Sequence, residues 1–158
     1  MDFKLVSEYP VTARKLFSLL RTPAFQEALA LRFGALEVTV GEVVRNRDIL
    51  RMRIDQVDPG RVRDGKRERF VAEYEWNLDR LENRWKRVYP DYGKKVQIEG
   101  RLSAEILGKE ACRLVESYSV TVKTPLVGKG AEKKIFENLQ EIQPQRVDFI
   151  MKRLGITE

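Results

Sequence analysis

Apolar and polar residues alternate with a period of two through most of the chain between Leu36 and Lys123. The alternating segments are residues 36–41, 50–55, 69–78, 85–89, 96–106 and 111–123. A shorter segment at residues 2–7 shows the same period. Strict alternation indicates a strand with one buried and one solvated face, which is typical of antiparallel sheets. The pattern therefore predicts a curved antiparallel sheet of six or seven strands.

Two short helices are predicted between the first strand and the rest of the sheet. Thr12 and Thr22 each precede a segment with helical spacing, and a threonine hydroxyl there caps the free N–H groups of a helix start. Pro23 suits the first helical position, where its missing N–H costs nothing. Gly34 follows the second segment and is a good C-terminal stop.

One long helix is predicted to start near Val127 and to run almost to the end of the chain. Its apolar residues share one face, and they are Ile135, Leu139, Ile142, Val147, Ile150 and Leu154. Pro144 lies inside this segment. Because proline cannot donate a backbone hydrogen bond and clashes with the preceding turn, we expect a kink or a break there.

The element order β-α-α-β6-α resembles the helix-grip arrangement of the START-like (SRPBCC) superfamily. Residues 8–35 read EYPVTARKLFSLLRTPAFQEALALRFGA, which is similar to the first strand and helix pair of an uncharacterised bacterial branch. In that branch a strand ends in a V-x-x-P-L-V-G-x-x-x-E turn before the last helix, and residues 122–139 read VKTPLVGKGAEKKIFENL. Within this motif we interpret Pro125 as a turn, Gly128 as a hinge and Glu132 as a first-turn acid.

The resemblance implies an α+β fold in which the curved antiparallel sheet wraps around the long C-terminal helix. It covers nearly the whole chain, so we expect a single domain of residues 1–158. It also implies a hydrophobic cavity between the helix and the sheet. Members of the superfamily bind, carry or transform different molecules, so the fold alone does not identify an enzyme.

The chain is basic, and its positive excess is unevenly distributed. Lys and Arg number 30 against 24 Asp and Glu, and most of the excess lies in residues 61–101. Acidic residues interrupt the basic ones there, as in RVRDGKRER, which dilutes a surface for phosphates. The composition therefore favours a solvated sheet face, and we expect no nucleic-acid partner. The chain has no histidine, which removes the commonest general base and zinc ligand, so no metal and no cofactor are expected.

The chain carries no recognisable signal for export or membrane insertion. Cys112 is the single cysteine, so an intramolecular disulfide cannot form. The N-terminus lacks a basic region followed by an apolar run, and no apolar stretch approaches the ~18 residues of a membrane span. We expect a cytoplasmic protein without a transmembrane segment; its oligomeric state is not predictable from the sequence.

Twelve residues are predicted to line the cavity, because they lie on the apolar side of their strands or on the inner face of the last helix. They are Leu50, Met52, Tyr74, Trp76, Trp85, Arg87, Leu102, Glu116, Tyr118, Ile135, Leu139 and Ile142. The ligand expected for such a cavity is a small hydrophobic or amphipathic molecule of the lipid or polycyclic type. The aromatic members of this set are equally suited to pack the core of the sheet.

Glu116 is the unusual member of the set, because it lies between Leu114 and Tyr118 in an inward-facing row. A buried carboxylate must be protonated, paired or hydrated. Arg87 lies on the inward-facing side of its own alternating strand, so it is the candidate partner of this carboxylate. The alternative is that a bulge or the rim of the sheet leaves Glu116 in water.

Three classes of function are consistent with these residues. The leading hypothesis is ligand binding without catalytic residues. A cyclase- or hydratase-type enzyme would need at least two convergent ionisable groups in the cavity, and Glu116 with Arg87 is the pair available. A regulatory, protein-binding module would have a filled core with no cavity larger than a few waters.

Overall fold

The computed structural model describes residues 1–60, 67–124 and 128–156. In the described residues eight strands form one sheet. Their bounds are β1 Asp2–Tyr9, β2 Glu37–Val40, β3 Val44–Asn46, β4 Ile49–Asp58, β5 Glu68–Asn77, β6 Glu82–Val88, β7 Val96–Gly108 and β8 Ala111–Val122. Within the same ranges three α-helices accompany the sheet, namely α1 Ala13–Leu20, α2 Pro23–Arg32 and α3 Gly128–Arg153. A 3₁₀ turn at Gly93–Lys95 precedes β7.

The strand order is β1-β8-β7-β6-β5-β4-β2, with β3 also paired to β4, and all of these pairs are antiparallel. The predicted α+β class, the curved antiparallel sheet and the long C-terminal helix are confirmed. The strand count is one higher than predicted, because β3 is a separate strand. β3 has three exposed residues, which is too short for an alternation to show in the sequence.

Strand β8 shows the clearest alternation, since every second residue from Cys112 to Val122 is buried. It pairs with β1 on one side and β7 on the other, so the first strand of the chain lies beside the last. Leu5 of β1 lies directly opposite Glu116 of β8. The inward-facing side chains of β8 therefore reach the centre of the core.

The capping residues expected for the first two helices are both in place. The Thr12 hydroxyl oxygen accepts from the backbone N–H of Lys15 at 3.1 Å, and that of Thr22 accepts from Phe25 at 3.4 Å. Leu16 and Phe17 of α1 are buried against the sheet. None of the helices in the described part of the chain has the length and hydrophobicity that crossing a bilayer demands.

Helix α3 is attached to the end of β8 at its first turns. A side chain on Gly128 would collide with the carbonyl oxygen of Val122, so only glycine fits this approach. Glu132 accepts a hydrogen bond from the backbone N–H of Val122 at 2.9 Å and lies 3.6 Å from the amino group of Met1. Glu132 lies beyond the first turn and acts as a tie to the sheet, which corrects its interpretation as a first-turn acid. Pro125 and Val127 lie outside the described residues.

Helix α3 continues through Pro144, so the predicted break is wrong, and the alternative of a kink stays a prediction. Two side chains close to the proline hold the helix against the sheet. Gln143 donates a hydrogen bond to the backbone carbonyl of Val6 at 3.0 Å, and Arg146 forms an ion pair with Glu116. These two contacts offset the one backbone hydrogen bond that the proline cannot donate. A sequence pattern does not reveal such contacts, because they depend on how the helix lies on the sheet.

Candidate functional site

A partly open cavity of about 160 Å³ lies between the inner face of the sheet and helices α2 and α3. Its walls are mixed, with aromatic and aliphatic side chains beside polar and charged ones. The apolar and aromatic lining residues are Leu20, Phe25, Leu29, Ala30, Phe33, Ile54, Tyr74, Trp76, Trp85, Leu102, Leu114, Tyr118, Leu139, Ile142 and Ile150. The polar and charged ones are Gln26, Gln56, Asp58, Asn83, Arg87, Glu116 and Arg146.

Nine of the twelve residues predicted for the cavity line it; the exceptions are Leu50, Met52 and Ile135. Leu50 and Met52 are buried in the core, near the opposite end of β4 from the lining residues. Ile135 packs against the core two turns of α3 before Ile142. The cavity occupies the region under α2 and the second half of α3. That these residues bind a ligand stays a prediction.

Glu116 points inward, as the alternation predicts, and its partner is Arg146 of α3. The Arg146 guanidinium donates from Nη2 to Oε1 at 2.8 Å and from Nη1 to Oε2 at 3.4 Å. The hydroxyl of Tyr118 donates a third hydrogen bond to Oε1 at 3.3 Å. Burial is the largest influence on Arg146 and opposes its charge, but the Glu116 carboxylate, Tyr118 and the hydrogen bonds to both together outweigh burial and raise the pKa of Arg146 above its usual value. The Arg146 guanidinium therefore stays charged, and it holds the Glu116 side chain by two hydrogen bonds.

Arg87 is not the partner of Glu116, which corrects the predicted pair. Its guanidinium carbon lies 4.6 Å from the ring centre of Phe70 and 5.4 Å from that of Trp85. It also forms a side-chain hydrogen bond with Tyr89. Cation–π contacts of this kind hold a guanidinium without neutralising it. The alternation of the strand correctly placed Arg87 on the inner face, but an alternation does not identify which inward-facing residue will be its contact.

Aromatic rings form a continuous wall on the inner face of the sheet. Trp85 packs edge-on against Tyr118 at 5.5 Å and lies 6.4 Å from Tyr74, whose ring stacks on Trp76 at 6.1 Å. Gly100 sits between Trp85 and Tyr118 in the strand register. Its missing side chain leaves the space that the Trp85 ring occupies. Both tryptophans of the chain therefore report on the cavity.

The tyrosine hydroxyls at the cavity are neutral. Burial raises the pKa of Tyr74 and of Tyr118 above the usual value of a tyrosine. Burial likewise raises the pKa of Tyr89, which hydrogen-bonds to Arg87. These groups are suited to hydrogen bonding and not to service as phenolate bases.

Sequence reasoning missed the polar lining residues Gln26, Gln56, Asp58, Asn83 and Arg146. The signal for Arg146 was present, because it lies four residues after Ile142 and four before Ile150 on the inner stripe of α3. Asn83 lies two residues before Trp85 and therefore on the same face of β6. In the sheet it is paired with Trp76 of β5 and with Leu102 of β7. A charged or amide residue in an apolar row was the available clue in both cases.

Three buried polar atoms of the lining residues have no hydrogen-bond partner in the described part of the protein. They are Nε1 of Trp76, Oδ1 of Asn83 and Nε of Arg87. Trp76 and Asn83 are only 1% and 2% exposed. Most buried polar groups in proteins are paired, so three unpaired groups around one cavity mark it as a polar site.

A larger open depression of about 1170 Å³ lies on the outer face of the sheet. Exposed charged residues of the outward rows surround it, including Lys4, Arg51, Glu73, Arg84, Lys86, Glu99 and Arg101. Many of these charges pair across strands, such as Arg51 with Glu75 at 3.5 Å and Lys86 with Glu73 at 3.3 Å. We regard this region as the solvated face, because it is open and its charges are mixed. The absence of a nucleic-acid partner stays a prediction.

The cavity between the sheet and the helices is smaller and more polar than the sequence suggested. Drug-sized ligands typically occupy about 300–1,000 Å³, whereas a cavity of about 150 Å³ holds a benzene ring. At about 160 Å³ the cavity matches the volume that holds one ring. In the described segments, no group of three or more Cys, Asp or Glu side chains is arranged to hold a metal.

Comparison of the sequence with protein families gives one match. A family described as protein of unknown function (DUF2505) matches residues 4–154. No curated protein sequence matches the chain.

Comparison with solved structures places the fold among START-like proteins. The protein TTHA0849 from Thermus thermophilus is 22% identical, with a TM-score of 0.65 and coverage of 98% of this chain and 97% of that one. The Zhui aromatase/cyclase from a Streptomyces species is 13% identical, with a TM-score of 0.68 and coverage of 98% and 93%. A START superfamily protein from Mycobacterium smegmatis is 16% identical, with a TM-score of 0.65 and coverage of 97% and 98%. At these identities the likeness shows the START-like helix-grip fold and nothing finer.

Proposed function

The chain belongs to the DUF2505 family of unknown function, and we propose that it binds a small amphipathic molecule in the cavity between the sheet, α2 and α3. The observation that carries this proposal is the cavity itself. A wall of packed aromatic rings lines one side of it, and buried polar groups lie in the same small space. Ligand sites typically combine apolar walls with a few placed polar groups.

Binding is favoured over catalysis because both carboxylates that line the cavity already have protein partners. Glu116 accepts from Arg146 and from Tyr118. Asp58 accepts from the side-chain amide of Gln56 at 2.7 Å. A carboxylate held by a guanidinium is a poor general base, since the ion pair stabilises its charged form and blocks access to a substrate proton.

The filled-core alternative predicts no cavity beyond a few waters. The volume here, about 160 Å³, equals that of about five water molecules, enough for a single ring. The buried polar lining also argues for an occupant, because an empty core would be better packed by apolar groups. We therefore place the ligand in the size range of one substituted ring, below the lipid or polycyclic range.

The test uses the intrinsic fluorescence of Trp76 and Trp85, which both line the cavity. We expect saturable changes in emission when benzamide or 2-phenylpropene is titrated into the purified protein. Leu139→Phe, which fills part of the cavity, is expected to weaken binding about tenfold or more. Ile106→Ala is the control, because Ile106 is 76% exposed on β7 and does not line the cavity.

Native mass spectrometry of the freshly purified protein provides an independent test. A co-purified species with the mass of a one-ring molecule, absent from Leu139→Phe, would support the proposal. No saturable binding by any one-ring compound, with fluorescence unchanged in both proteins, would contradict it and favour the filled-core module.

A further inference from the structure

The side chains that line the cavity carry two positive and two negative formal charges. Arg87 and Arg146 are positive, and Asp58 and Glu116 are negative. Arg146 and Glu116 neutralise one another directly, with 2.8 Å between Nη2 and Oε1. An ionic ligand would bring an uncompensated charge into this space, and a buried unpaired charge is strongly disfavoured. The electrostatic balance therefore selects an uncharged ligand.

The unpaired polar groups of the cavity specify which hydrogen-bond donors and acceptors the ligand must carry. Nε1 of Trp76 and Nε of Arg87 are donors without a partner in the described residues, so they require an acceptor on the ligand. Oδ1 of Asn83 is an acceptor without a partner there, so it requires a donor. In the opposite orientation the amide would present Nδ2 at this point and would require an acceptor instead, so the donor on the ligand follows from the orientation that the amide has in the structure.

Asn83 and Trp76 are fixed as a pair by the strand register. They lie directly opposite one another on β6 and β5, and both are nearly fully buried. Side chains directly opposite on one face have Cβ atoms about 5 Å apart, close enough for one small polar group to meet both. Arg87 follows four residues after Asn83 on the same inner face of β6.

We infer that the cavity takes a neutral, one-ring molecule whose single polar substituent offers both a hydrogen-bond donor and an acceptor to Asn83, Trp76 and Arg87. This inference rests on the proposed function and names its ligand class. A primary carboxamide or a hydroxylated carbonyl compound has this chemistry. The ring packs on the aromatic wall of Tyr74, Trp85 and Tyr118, and the polar end meets the unpaired groups.

Four planar probes of nearly the same shape isolate the charge and the hydrogen bonds. They are benzamide, which is neutral with donor and acceptor, benzoate, protonated benzamidine, and the apolar 2-phenylpropene. Isothermal titration calorimetry gives their affinities for the wild-type chain. We expect benzamide to bind at least about tenfold more tightly than each of the other three, because an unpaired buried group or charge costs at least that much.

Two variants test the named residues. Asn83→Leu and Trp76→Phe are each expected to weaken benzamide binding about tenfold and to leave 2-phenylpropene within a factor of about two. Asn46→Leu is the control, since Asn46 is exposed on β3 and does not line the cavity. Circular dichroism and thermal melting establish whether each variant is folded. If one variant does not fold, the other is sufficient for the test.

The outcomes separate this inference from the proposed function. Equal binding of benzamide and 2-phenylpropene, or tighter binding of benzoate or benzamidine, overturns the ligand class while leaving ligand binding intact. Benzamide affinity unchanged in both variants also overturns it. Failure of all four probes to bind overturns the proposed function itself.

Discussion

Arg146 of α3 and Glu116 of β8 form a two-pronged ion pair across the interface between the helix and the sheet, at 2.8 Å and 3.4 Å. Their side chains are 16% and 11% exposed, so the pair is largely removed from water. It fixes the second half of α3 over the cavity and neutralises the carboxylate inside it. The stability of the fold and the chemistry of the site therefore depend on the same contact.

The first prediction concerns this pair. Arg146→Met should lower the free energy of unfolding by about 3 kcal/mol, because it leaves the Glu116 carboxylate buried without a counter-charge. The double variant Arg146→Met with Glu116→Gln should be more stable than Arg146→Met alone, since no charge is then stranded. Urea denaturation followed by tryptophan fluorescence measures both values.

The exposed pair Lys152–Asp148 on the same helix is the control for this measurement. Its atoms approach to 3.0 Å, but its side chains are 69% and 64% exposed. Lys152→Met should change the free energy of unfolding by less than about 0.5 kcal/mol. Equal effects of Arg146→Met and Lys152→Met would refute the structural role of the buried pair.

The second prediction concerns Gly100. A Cβ atom there would lie 2.5 Å from Cζ2 of Trp85 and 2.5 Å from the carbonyl oxygen of Ser117. Gly100→Ala should therefore displace the Trp85 ring toward the cavity, lower stability by about 1–3 kcal/mol and shift tryptophan emission. Gly108→Ala on the same strand is the matched control, because no atom lies within 4 Å of its added Cβ. Unchanged emission and stability in Gly100→Ala would disprove the close packing of ring and backbone.

The third prediction concerns pH. Burial raises the pKa of Tyr9 to about 12 in the folded protein, against about 10 in an unfolded chain. Below pH 10 both states keep the proton and stability does not depend on this group. Between pH 10 and 12 the unfolded state releases the proton first, so stability must fall as the pH rises.

The measurement compares wild type with Tyr9→Phe by urea denaturation at several pH values from about 8 to 12. The wild type should lose stability more steeply above pH 10, by up to about 1.4 kcal/mol per pH unit. The remaining tyrosines are present in both proteins and cancel in the comparison. Parallel curves above pH 10 would show that Tyr9 titrates normally.

The fourth prediction concerns Pro144, which lies within an uninterrupted helix. Pro144→Ala restores a backbone donor and removes the clash with the preceding turn, so it should raise stability by up to about 3 kcal/mol. Gln145→Ala is the neighbouring control, because Gln145 is exposed and already helical. Thermal melting detects the difference, and a loss of stability in Pro144→Ala would mean that the proline geometry is needed to place Arg146.

Much of the fold follows from local patterns in the sequence. The alternation in β8 predicted that Glu116 points inward, and its 8% exposure confirms this. Thr12 and Thr22 marked the starts of α1 and α2 because capping depends on residues only three positions apart. Strand β3 escaped prediction since three residues contain too little of a period to recognise.

The contents of the site depended on tertiary structure. Periodicity assigns a residue to a face, and it placed nine of twelve predicted residues at the cavity, but it does not say which inward residues meet. Glu116 met Arg146 and not Arg87 because the rotation and position of α3 over the sheet decide that contact. The cavity volume likewise depends on how side chains from distant strands and helices pack. Local sequence patterns were sufficient for seven of the eight described strands, for the three helices and for their buried faces, whereas the partners, the unpaired polar groups and the space they surround arise only when those faces come together.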